Sequence, residues 1–121
     1  MATDKTTIGL TEYNRAVVEH ITTELDWFRN QMEAAKFALA LAIDRNIEPG
    51  ETEGAGTVWN VGSFDPTGEL RDLFQVLFPT GSTPYRLVEH FVNRGLQMLG
   101  EEFEQNPHLE ILDLLPHHVA E

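Results

Sequence analysis

The chain has 121 residues, 41% of them hydrophobic, no cysteine and a formal net charge of −12. That length supports one core burying roughly two-thirds of the unfolded surface, and the lack of cysteine excludes disulfides, thiolate nucleophiles and thiolate metal sites. Residues 1–47 carry five basic and seven acidic side chains, residues 48–121 three and thirteen, so the second half repels a duplex and any nucleic-acid contact falls to the first. No apolar run approaches the ~18 residues that span a bilayer, and Met1 to Lys5 lacks the start of a signal peptide. A cytoplasmic protein with no membrane contact is expected.

Along the chain, Lys5 to Leu10 alternates as a short strand, with Thr6, Ile8 and Leu10 on one side and Lys5, Thr7 and Gly9 on the other. Thr11 stands at an N-cap position, and Tyr13, Val17, Ile21, Leu25 and Phe28, with Ala16, recur at helical spacing. A helix from about Glu12 to Glu24 follows. Asn30 and Glu33 form a capping box before residues 34–43, which are apolar except for Lys36 and half alanine. Such a run favours helix and leaves it no polar face. A second helix from near Gln31 to near Asn46 is therefore expected at the centre of the fold, with Ala34, Ala35, Ala38, Ala40 and Ala42 admitting close backbone approach. Pro49-Gly50 is expected to stop it.

Glu48 to Gly56 reads as an exposed acidic loop and Thr57 to Val61 as a short β-prone stretch. Asp65-Pro66 and Thr83-Pro84 each place a capping residue before a proline at the first helical position. They predict a third helix carrying Leu70, Leu73, Phe74 and Leu77, and a fourth from Pro84 to about Phe103. Leu87, Val88, Phe91, Val92, Leu96 and Leu99 are its buried positions, with Gly95 and Gly100 as weak points or sites of close contact. Asn106-Pro107 opens a last short helix through Ile111, Leu114 and Leu115, stopped by Pro116. The fold class is mainly α: four to five helices around a buried alanine-rich helix, with one or two short strands. Residues 1–121 form one domain, divided into a strand-helix-helix unit (1–47), an acidic glycine-rich loop with a short strand (48–62) and an acidic helical half (63–121).

Chemistry-bearing residues are sparse. His20, His90, His108, His117 and His118 show none of the spacings of helix-bundle metal motifs, so His20 and His90 read as histidines at the edge of the core and the terminal pair as part of a frayed end. The loop around Gly50, Gly54 and Gly56 lacks the Gly-Lys-Ser/Thr ending of a phosphate cradle and carries Glu48, Glu51 and Glu53. Ser63 and Ser82 sit in turns, Asp65 is occupied as a cap, and Trp59 and Phe64 read as core. No catalytic residue, cofactor site or metal site is assigned.

The strand, the threonine cap at Thr11 and two helices, the second opened by Asn30-Gln31-Met32-Glu33, resemble the ribbon-helix-helix family of DNA-binding proteins over about the first 47 residues. That resemblance implies a dimer whose paired strands enter the major groove. Outward-facing Lys5, Thr7 and Gly9 would then read bases, and the amides near Gln31 and Met32 would meet phosphate. More loosely, Lys36 to Ile43, Val58 to Asp65, Thr83 to Glu89 and Asn93 to Leu96 resemble segments of small prokaryotic proteins, some similar to accessory proteins of DNA phosphorothioation or phage-defence gene islands. No catalytic residue comes with that likeness. The leading expectation is a non-catalytic accessory or regulatory protein, homodimeric and acting through protein contacts. The second is a dimeric ribbon-helix-helix regulator that binds DNA through Lys5, Thr7, Gln31 and Met32.

Overall fold

The alanine-rich run forms helix α2 (Gln31–Asp44), and the longest helix, α5 (Pro84–Gln105), packs along it. A computed structural model describes residues 3–81 and 83–114. Before α2 come strand β1 (Thr7–Leu10) and helix α1 (Glu12–Glu19), which runs on into a π-helical turn, His20–Glu24. After it come β2 (Gly56–Asn60), the single turn α3 (Val61–Phe64), α4 (Glu69–Leu77), α5 and a 3-10 turn at Ile111–Leu114. This is the mainly helical fold expected, with one antiparallel pair of strands among the described residues, β1 on β2.

The core gathers around α2 as its composition requires. Ala34, Ala35, Ala38 and Ala42 are fully buried, while Ala40 faces out. A Cβ on Gly95 of α5 would meet the main chain of Ala38, so the two longest helices approach at backbone distance where both residues are small. Val88, Phe91, Val92, Leu96 and Leu99 are buried as expected, and Leu87 only partly. Helix α2 ends in a left-handed residue, Asn46 (φ 56°), before Pro49-Gly50 is reached. Asparagine tolerates that conformation better than most side chains.

Helix α1 is rotated from its expected face. Asn14, Val17, Val18 and Ile21 are buried, whereas Tyr13 is 43% exposed and Ala16 is exposed. A polar residue takes a core position because Asn14 has hydrogen-bond partners there, which removes most of the cost of burying its amide.

Helix α5 begins at Pro84 as expected but is capped differently, and α4 begins at Glu69 rather than at Pro66. Thr83 makes no side-chain cap; Asp4 instead accepts from Tyr85 N (2.9 Å) and Arg86 N (3.0 Å), so the chain's beginning caps α5. Asp65 does not open a helix at Pro66. Its carboxylate reaches forward to Leu70 N (3.0 Å) and Arg71 N (3.1 Å) of α4 and accepts from the Tyr85 hydroxyl (2.8 Å). Asn106-Pro107 leads to a 3-10 turn rather than a further α-helix, and Ser82, Leu115, Pro116, His117 and His118 lie outside the described residues.

Burial alone would raise the Asp65 carboxyl. The Leu70 amide, the Tyr85 hydroxyl, the Arg71 amide and the nearby Arg71 guanidinium outweigh it and hold the group below its ordinary value. The Tyr85 hydroxyl is pushed up to about 12, by burial first and then by its bond to Asp65, so it keeps the proton it donates. A folded-state pKa below the unfolded value stabilises the fold above that unfolded value and ceases to do so as pH falls through the folded one. The urea midpoint should therefore fall more steeply for the native chain than for Asp65→Asn as pH drops from about 5 to about 3, across and below the ~3.9 of a free aspartate. Parallel curves would show that Asp65 gains nothing from these donors.

Candidate functional site

The edge of β1 not paired with β2 is closed by side chains from α5. Glu89 Oε2 accepts from Gly9 N (2.8 Å), Asn93 Nδ2 donates to Gly9 O (2.9 Å), and Asn93 Oδ1 accepts from Thr11 N (3.1 Å). A carboxylate and an amide, one turn apart on a helix, thus stand in for a neighbouring strand. Gly9 fits there because it has no side chain: a Cβ would lie 2.6 Å from Gly56 O across the irregular β1–β2 register and 3.2 Å from Glu89 Oε2. Lys5 Nζ lies 3.1 Å from Glu89 Oε2 and balances the buried carboxylate.

Asn14 extends this network outward. Its Nδ2 donates to Asn93 Oδ1 (2.8 Å) and to Asn93 O (3.0 Å), while Asn93 Nδ2 also donates to Glu89 O (2.8 Å). Asn14, Glu89 and Asn93 are 2–3% exposed. Buried amides in such number are retained where they are satisfied; among the described residues, Asn14 Oδ1 is the buried side-chain polar atom left without a partner.

Beside this network runs a groove of about 520 Å³, walled by Thr11, Tyr13 and Asn14 of the α1 end and by one face of α5. That face consists of His90, Asn93, Arg94, Gln97, Glu101 and Glu104, spaced as a polar stripe on a helix otherwise used for the core. The third wall is the acidic loop, through Glu51, Thr52 and Glu53. His90 fastens that loop. Its Nε2–H donates to Glu48 O (3.1 Å), which leaves Nδ1 as acceptor toward the Thr52 hydroxyl (3.5 Å). Burial holds the imidazole below its ordinary range, against the Glu48 and Glu51 carbonyls and with help from the Arg94 charge. His90 therefore adds little positive charge at neutral pH. Glu104 accepts from Tyr13 Oη (3.1 Å) and Glu101 from Gln97 Nε2 (3.2 Å). Arg94 makes no ion pair among the described residues.

The residues singled out for DNA lie elsewhere. Lys5 is paired with Glu89, and Thr7 Oγ1 accepts from Thr57 across the β pair (3.4 Å). Gln31 is exposed at the first position of α2, and Met32 packs against the core. No hydrogen bond or ion pair joins the first two to the last two among the described residues. Trp59 and Phe64 pack on each other with ring centroids 5.3 Å apart, Phe64 fully buried. His20 Nδ1 sits 2.9 Å from Glu24 Oε1. Sequence reasoning missed the groove and the β1 edge. The available signal was the polar pair Glu89 and Asn93, four residues apart beside the apolar positions of α5. No family model, no curated protein and no solved structure matches this chain.

Proposed function

We propose that this chain is a non-catalytic accessory or regulatory protein that works by holding a partner protein, with the groove between α1, α5 and the acidic loop as its working surface. The observation that carries the reading is the groove itself. It is a preformed concavity in the size range of binding sites, with Glu51, Glu53, Glu101 and Glu104 set against the single guanidinium of Arg94. DNA binding through the N-terminal strand is the second reading, and the order strand, helix, helix favours it. It has less support because both edges of β1 are engaged within the chain and Lys5 already neutralises Glu89.

Titration of the full chain with mixed-sequence duplex DNA, at low salt and then at physiological salt, separates the two. No mobility shift is expected, since the net acidic second half opposes the phosphate backbone. Sequence-selective binding at physiological salt would replace the first reading with the second. A homodimer belongs to the same proposal, supported by the exposed α4 residues Leu73, Val76 and Leu77. Sedimentation should give a dimer mass for the native chain and a monomer for Val76→Glu.

A further inference from the structure

We infer that the acidic loop over residues 48–54 is a strap released by acid, with His90 of α5 as its latch. The groove it walls is then complete near neutral pH and loses that wall as His90 takes up a proton. As regulation of the groove, the inference rests on the partner-binding reading; the strap itself does not depend on it. The observation that carries it is how little else holds the loop. Among the described residues, the hydrogen bonds that reach residues 48–54 both come from His90, at Glu48 O (3.1 Å) and at the Thr52 hydroxyl (3.5 Å). Within this stretch Gly50 and Thr52 are half-buried and the rest is exposed. The other ties lie beyond its two ends, from Ile47 N to Ala42 O (3.4 Å) and from Arg15 Nη2 to Gly56 O (3.0 Å). A segment with so few bonds and buried contacts opens locally at small cost.

Protonation works against the latch through its geometry. With Nε2–H committed to Glu48 O, the second proton enters at Nδ1, the nitrogen that faces the Thr52 hydroxyl. It removes that hydroxyl's acceptor and puts a charge on a ring the loop covers closely: a Cβ on Gly50 would stand 3.2 Å from Nε2 and 3.3 Å from Cε1. The charged groups about the ring are Arg94 and, further along α5, Glu101 and Glu104, with Glu48, Glu51 and Glu53 on the loop; Glu89 on α5 is held by Lys5. The α1 end brings Thr11, Tyr13 and Asn14, which carry no charge at neutral or mildly acid pH. Burial lowers the imidazole below its ordinary value, aided by the Arg94 charge and opposed by the Glu48 and Glu51 carbonyls. With the loop lifted, the ring is in water and titrates near ~6.5. A lower value in the closed state supports closure above ~6.5 and withdraws that support as pH falls toward the closed-state value. The open-to-closed ratio therefore rises with acid, by at most ~10-fold per pH unit for a single proton.

The test is NMR of the isotope-labelled full chain, with no partner present, from about pH 7.5 to about pH 5.5, above the range where free carboxylates titrate. The Gly50 and Thr52 amide shifts should titrate with the same midpoint as the His90 ring, below ~6.5. The heteronuclear NOE of the Gly50, Thr52 and Gly54 amides should fall along the same curve, which separates release of the loop from a mere change of charge beneath it. His90→Gln keeps a donor and an acceptor at that place but has no group that titrates. Its loop should show no pH dependence over this range, whether held or loose. An NOE that acid leaves unchanged, a midpoint apart from that of His90, or the same acid response in His90→Gln would each overturn the inference. Any of these outcomes leaves the partner-binding reading standing, whereas a sequence-selective DNA shift would remove that reading and leave the latch.

Discussion

Gly95→Ala should destabilise the fold by about 3 kcal/mol or more, at or beyond the top of the range for overpacked cores. The added methyl has no side chain to push aside. A Cβ at Gly95 lands on the Ala38 peptide, 2.6 Å from its carbonyl carbon and 3.1 Å from its Cα, so relief requires α2 and α5 to separate. Those are the two helices with the most extensive mutual contact, and separating them opens the packing of Ala34, Ala42, Val92 and Leu96 as well. The opposite side of the same contact should respond alike: Ala38→Leu, at a fully buried position, is expected to cost about 1–3 kcal/mol. Urea midpoints at constant slope measure both. A change below about 0.5 kcal/mol for Gly95→Ala, the level of an ordinary surface substitution, would mean that the helices do not cross at this residue.

Asn93→Ala is expected to cost a similar amount for a different reason. The side chain makes four hydrogen bonds, with Thr11 N, Asn14 Nδ2, Gly9 O and Glu89 O, and alanine makes none. Truncation withdraws the partner of the Thr11 amide and of the outward Gly9 carbonyl, at about 1–3 kcal/mol for each buried group left unsatisfied. Asn93→Asp should also be poor, because it keeps the acceptor, loses the donor and places a second carboxylate near Glu89. Denaturation gives the magnitude, and amide hydrogen exchange gives the location: Gly9 and Thr11 should lose protection before the centre of α2 does. Uniform loss of protection across the chain would show that Asn93 does not act through the β1 edge.

What the sequence disclosed and what it hid divide by distance along the chain. The buried alanine helix, the strand before α1 and the apolar face of α5 are periodic signals within a dozen residues, and each appears close to its expected place. The caps at Thr11 and Asn30 are local as well, each bonding the amide three residues on. Features that depend on a remote partner were not legible. Asp4 caps a helix 81 residues away, and Asn93 completes the edge of a strand 84 residues away; no window contains both members of either pair. Hydropathy ranks tyrosine above asparagine and so assigns Tyr13 rather than Asn14 to the core, although the asparagine has the interior partners. The groove was illegible for the same reason, since its walls come from residues 11–14, 51–53 and 90–104.

The placement of β1 also fixes an order of events during synthesis. Strand β1 finds its sheet partner only when residues 56–60 have emerged from the ribosome, and the side chains that close its other edge only after Asn93. Asp4 waits equally long for the amides of Tyr85 and Arg86. Contacts of such high sequence separation close slowly, because a long loop must lose its freedom before the contact repays it. A nascent chain halted anywhere before α5 therefore holds the apolar faces of α1 and α2 without the helix that covers them, the kind of exposed surface through which incomplete chains aggregate.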